Sequence, residues 1–115
     1  MPFVEQVPRL YSPVDVQSLN LNQNGVYGLF KSGLWIYIGK GDIRKRLLDH
    51  LNGDNPLITK FGPTHWVGEV ITGDPSLREK QLIIECQPIC NKRIGWEAAR
   101  VEILSGPTLE NIISL

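Results

Sequence analysis

The sequence predicts an α+β domain: a small central antiparallel sheet of three strands, flanked by helices. Three observations carry this expectation. Two short apolar runs, Val26 to Phe30 and Leu34 to Ile38, flank Lys31-Ser32-Gly33, which reads as a hairpin loop. A third run, Thr64 to Thr72, carries Trp66, Val67, Val70 and Ile71 at strand-like density. The segments between and after the strands carry helix start and stop signals. With 115 residues the chain suits one domain, 1–115, with a single hydrophobic core.

Taken in order, residues 1–24 read as a lead-in, because Pro2 and Pro8 oppose regular structure. Ser12-Pro13 opens a short helix to about Ser18, serine as cap and proline in the first turn. The stretch from Asn20 to Asn24 is a loop into the hairpin. A three-residue loop ending on Gly33 favours a type I turn closed by a left-handed residue. That register pairs Phe30 with Leu34 and sets Tyr27 directly opposite Tyr37. The two phenols then share one face. A two-residue turn would move the pairing by one and send them to opposite faces.

Next, Asp42 caps a helix from Ile43 to about Asn52, and Gly53 stops it. Ile43, Leu47 and Leu51 form its buried stripe. Arg46 and His50, four apart, share another face. Asn55-Pro56 opens a second helix to Phe61, closed by Gly62-Pro63. After the third strand, Gly73-Asp74 is a turn, and Pro75 opens a helix to about Gln87, ended by Pro88. Further on, Trp96 to Leu104 fits helix or strand, and Thr108 to Leu115 reads as a short helix.

Composition narrows the function classes. No apolar run is long enough to span a bilayer and nothing resembles a signal peptide, so a cytoplasmic location is expected. Cys86 and Cys90 are too few for a disulfide framework, and His50 and His65 fit no zinc spacing; both cysteines are expected in the core. Twelve basic residues balance twelve acidic ones, which argues against a long electrostatic track on a duplex. Lys40, Arg44, Lys45 and Arg46 nevertheless cluster, opposed only by Asp42, and such a spot can mark a phosphate site.

Gly25-Val26-Tyr27 and Tyr37-Ile38-Gly39 are the segments that carry chemistry. In the first of these valine replaces isoleucine, and with that change the pair resembles the GIY-YIG nuclease family. The resemblance covers about residues 24–92 and implies the same three-stranded architecture. It implies that Tyr27 helps activate the attacking water and that Tyr37 orients the water or the phosphate. The alternative is two strand aromatics at a sheet edge. Gly25 and Gly39 lack side chains, which lets a substrate backbone approach. A free phenol is a poor base at neutral pH, so Tyr27 needs a proton acceptor. His50 is the candidate if its helix lays that face over the hairpin.

The family places an arginine shortly after its second motif, and Arg46 matches, with Arg44 as alternate; otherwise both belong to a solvated face. Some restriction-enzyme members carry a histidine four residues later, and His50 matches; its alternative is a capping role near the helix end. By the same resemblance, Glu79 is the single carboxylate for one divalent ion, Mg²⁺ or Mn²⁺. It is followed by Leu82-Ile83, Pro88 and Asn91 at the family's spacing. Its alternative is a capping box, Ser76-Leu77-Arg78-Glu79, and its rival is Glu85. Asn91 is implied to steady the site and is a candidate substrate contact with Gly39 and Lys40. The resemblance implies an endonuclease acting on nucleic acid, DNA first, that leaves 5′-phosphate and 3′-hydroxyl ends. A non-catalytic nucleic-acid-binding or recruitment module of the same fold is the second reading, and a ribonuclease or toxin-like activity a third. With so little positive charge, gripping DNA calls for a homodimer or a partner protein.

Overall fold

The structure, a computed structural model, describes residues 2–91. Its elements are β1 (Arg9–Leu10), α1 (Pro13–Gln17), β2 (Asn24–Lys31), β3 (Leu34–Asp42), α2 (Ile43–Leu51), α3 (Pro56–Phe61), β4 (His65–Val70) and α4 (Ser76–Cys86). The strands form one antiparallel sheet in the order β1-β4-β2-β3. The three expected strands are present. The expected lead-in contributes a fourth, pairing Arg9 with Trp66 and Leu10 with His65. It begins just after Pro8, where the lack of an N–H no longer matters to the ladder. The segments read beyond residue 91 lie outside the described residues.

Helix signals act where they stand. Ser12 caps α1, Asp42 accepts from the Lys45 N–H at 3.1 Å, and Asn55 caps α3 with Pro56 in its first turn. Gly62 ends α3 in the left-handed region, φ 62°. At α4 the expected alternatives resolve differently. The Asp74 carboxylate accepts from the Ser76 N–H and hydroxyl at 2.9 and 2.6 Å, and no side-chain capping bond forms at Pro75, the cap position. The capping-box reading of Glu79 is therefore not realised.

The hairpin corrects the expected register. Ser32 and Gly33 both have positive φ, 49° and 79°, the mark of a two-residue turn, and Lys31 pairs with Leu34. Such a turn twists in the same sense as its flanking strands, which is why it wins over the three-residue loop. That shift alone would have separated the tyrosines. A β-bulge offsets it: Phe30 faces Trp35, Leu29 faces Tyr37, and Ile36 is the extra residue. Tyr27 lies across from Gly39, diagonal to Tyr37, and both phenols return to one face. Ile36 and Tyr37 accordingly enter the same core cluster although they are consecutive.

The core has two halves, one on each face of the sheet. Tyr27, Leu29, Ile36, Tyr37 and Trp66 pack under α1, α2 and α3 with Val16, Ile43, Leu47 and Ile58. Val26, Ile38 and Val67 pack under α4 with Leu82, Ile83 and Phe3. Cys90 is buried in the first half and Cys86 packs against the second; neither is in a disulfide, and burial pushes Cys86 up to about 12.

Side-chain amides sit on both sides of the three long strands. Gln6 exchanges two hydrogen bonds with the backbone of Gly68, at 2.9 and 3.0 Å. Asn91 does the same for Ile38: its Oδ1 accepts from the Ile38 N–H at 2.8 Å and its Nδ2 donates to the Ile38 carbonyl at 2.7 Å. Each carboxamide thus imitates a neighbouring peptide unit. Asn91→Ala leaves two buried backbone groups unpaired, and urea unfolding is expected to register a loss of about 2–4 kcal/mol.

Candidate active site

Arg46 and His50 stand one turn apart on α2, and their face lies over the hairpin as expected. The Tyr27 hydroxyl meets His50 Nε2 at 2.7 Å. The His50 ring lies 5.6 Å from the Tyr27 ring and 5.1 Å from the Tyr37 ring, and the two tyrosine rings are 6.3 Å apart. Tyr27 is fully buried, His50 is nearly so, and Tyr37 keeps 8 % of its surface. Arg46 is the member that reaches solvent, with 35 % of its side chain exposed. Its stem runs over Gly41, where a Cβ would sit 3.3 Å from Cγ.

The glycines of the two motifs have packing partners of their own. A Cβ on Gly39 would lie 2.3 Å from the Tyr27 hydroxyl and 2.9 Å from the Tyr37 ring. A Cβ on Gly25 would lie 1.9 Å from the Glu69 carbonyl oxygen. Their bareness lets the Tyr27 phenol and strand β4 come close, where a substrate backbone was expected. Gly39 is itself buried.

Sequence reasoning missed Asp54. Its Oδ1 lies 2.7 Å from His50 Nδ1, and its Oδ2 lies 3.7 Å from the Arg46 guanidinium. The turn that delivers it was legible at Gly53, the expected stop. Gly53 has φ 85°, its N–H bonds the His50 carbonyl, and the Asp54 N–H bonds the Asp49 carbonyl at 3.2 Å. This Schellman turn folds Asp54 back over the last turn of α2. Asp49 completes the group, 3.0 Å from both Arg46 and Lys45.

Burial dominates the electrostatics. It raises the Tyr27 phenol well above the ordinary value, helped by neighbouring Tyr37, while the Arg46 charge pulls it back. Burial also lowers His50 below 6.5, against the opposing pull of Asp54. Phenol and imidazole are therefore both neutral at rest, joined by a hydrogen bond.

The remaining candidates lie elsewhere. Arg44, two residues from Arg46 and so on the far side of α2, lines a separate cavity with Arg9, Gln23 and Trp66. Lys40 is exposed and donates to the Ser76 hydroxyl, tying β3 to the start of α4. Asn91 is fully buried and bonds both backbone groups of Ile38, so it steadies the strand carrying Tyr37. Glu79 is 6 % exposed, in the first turn of α4, whereas Glu85 is exposed. α4 packs on the sheet face opposite the phenols, against the edge strand β3. Among the described residues no three His, Cys, Asp or Glu side chains cluster to hold a metal. A single acid remains an adequate protein donor for a hard dication, provided water and phosphate oxygens fill the other positions.

No family model matches the chain, and no curated protein matches it. Among solved structures, the chain is similar to the GIY-YIG N-terminal endonuclease domain of UvrC from Thermotoga maritima, a point mutant bound to its catalytic divalent cation. The identity is 24 %, the TM-score 0.60, and the match covers 71 % of this chain and all of that domain. A four-stranded antiparallel sheet, helices on both faces and this likeness together establish a GIY-YIG-like fold for the chain.

Proposed function

We propose that the chain is a divalent-metal-dependent endonuclease that hydrolyses phosphodiester bonds in nucleic acid, with DNA as its first substrate. The observation that carries this reading is the Tyr27–His50 hydrogen bond, buried beside the half-buried Arg46 on a nuclease-like fold. Phosphodiester hydrolysis needs a deprotonated, aligned water and a counter-charge for the phosphorus centre. A water aligned on phosphorus gives its proton to the Tyr27 oxygen as Tyr27 passes its own to His50 Nε2. Tyr37, beside Tyr27 and His50, orients water or phosphate. The permanently charged fork of Arg46 takes the extra phosphorane charge, exchanging Asp49 for phosphate oxygens. Bound Mg²⁺ or Mn²⁺ would supply Lewis-acid charge on the phosphate and the leaving 3′ oxygen, and Glu79 is the residue that would hold it. The products carry 5′-phosphate and 3′-hydroxyl ends.

A second reading, a nucleic-acid-binding module without turnover, draws on the complete burial of Tyr27 and on the formal net charge of zero. Purified protein with supercoiled, nicked and branched DNA, and with RNA, separates the two. Cleavage in Mn²⁺ or Mg²⁺ that EDTA abolishes is expected. Binding without cleavage on every substrate, unchanged by Arg46→Ala, establishes the second reading instead.

A further inference from the structure

His50 can accept the Tyr27 proton only if Nε2 carries a lone pair. The groups facing the imidazole decide this. They are Tyr27 from β2, Tyr37 from β3, Arg46 and Asp49 from α2, and Asp54 from the turn after it. Of these, Asp54 alone meets Nδ1, at 2.7 Å, and an ionised carboxylate can only accept. The proton must then sit on Nδ1, and Nε2 is left to receive the phenol.

We propose that Asp54 is the positioning residue of this site, holding His50 in the Nδ1–H form through one oxygen while its other oxygen faces Arg46. The proposal rests on the nuclease reading for its kinetic consequence and on geometry for the rest. In the reacting step the water O–H bond breaks and its proton passes to the Tyr27 oxygen. The Tyr27 O–H bond breaks in turn, and its proton forms the second N–H of His50. The resulting imidazolium is buried, and the Asp54 carboxylate is the charge that stabilises it. Asp54 thus links the proton acceptor to the phosphate-facing cation through a single carboxylate. It reaches both because the left-handed Gly53 turns the chain back.

Asp54→Asn tests this. Arg46 only donates, so it draws the amide oxygen, and the amide N–H₂ is left to face Nδ1. His50 is then driven to the Nε2–H form, which cannot accept from Tyr27. The expected result is a fall in kcat of about 10²–10³-fold with KM changed by less than about threefold, partly rescued by Asp54→Glu. Wild-type kcat/KM is expected to fall only below pH 6.5, since His50 must be neutral and its basicity is lowered. Long-range ¹H–¹⁵N NMR of the imidazole should report Nδ1–H in the wild type and Nε2–H in the variant, whether or not any substrate is cut. Wild-type kcat in Asp54→Asn, or an Nε2–H imidazole in the wild-type protein, overturns the proposal. An Nδ1–H wild type with no cleavage upholds Asp54 as the positioning residue and discards the nuclease reading alone.

Discussion

Glu79→Ala is expected to abolish metal-dependent cleavage and leave the protein folded. Glu79 is a nearly buried acid in the first turn of α4, and among the described residues no acidic cluster stands ready to replace it. A hard dication that loses its one protein carboxylate keeps only water and phosphate oxygens, and its occupancy collapses. The expected signature is a wild-type circular dichroism spectrum with no plasmid nicking in Mn²⁺ and no Mn²⁺ binding by electron paramagnetic resonance. Retained turnover would move the metal role to Glu85, which is exposed and faces away from Glu79 on the same helix.

Tyr27→Phe is expected to cut kcat by about 10²–10⁴-fold. The substitution removes one oxygen and keeps the ring that packs against Gly39 and Tyr37. What disappears is the 2.7 Å bond to His50 and the atom through which a proton would pass. The orphaned Nε2 costs about 1–3 kcal/mol of stability, which urea unfolding reads directly. Tyr37→Phe, made in parallel, tells whether the phenols are interchangeable. The Tyr27 hydroxyl bonds the imidazole directly, at 2.7 Å, so the larger loss belongs to Tyr27. Rates equal to wild type in Tyr27→Phe would leave His50 without a proton to accept, and the mechanism would fail.

Local chemistry made much of this readable in advance. Pro56 and Gly62 bracket α3 because one fits a first helical turn and the other a left-handed stop. Asp42 caps α2 for a similar reason, and the four-residue spacing of Arg46 and His50 was enough to put them on one face. The hairpin register was not readable, since Gly33 suits either turn and the choice depends on strand twist and on packing around Ile36. Strand β1 was hidden by its length, two residues whose pairing depends on the waiting edge of β4. Asp54 was hidden differently: its role appears only when Gly53 reverses the chain and β2 brings Tyr27 to the other side of the imidazole. Gly39 was noticed for the right reason, close approach, but the approaching group is the protein's own phenol.

The bulge at Ile36 makes the hairpin an odd–even device. Were the ladder to run straight on, with Ile36 opposite Leu29, Tyr37 would turn to the α4 side and away from His50, whereas deleting Ile36 keeps Tyr37 opposite Leu29. Related chains that lack this one residue, and the bulge with it, should therefore still carry both tyrosines on the helix α2 side.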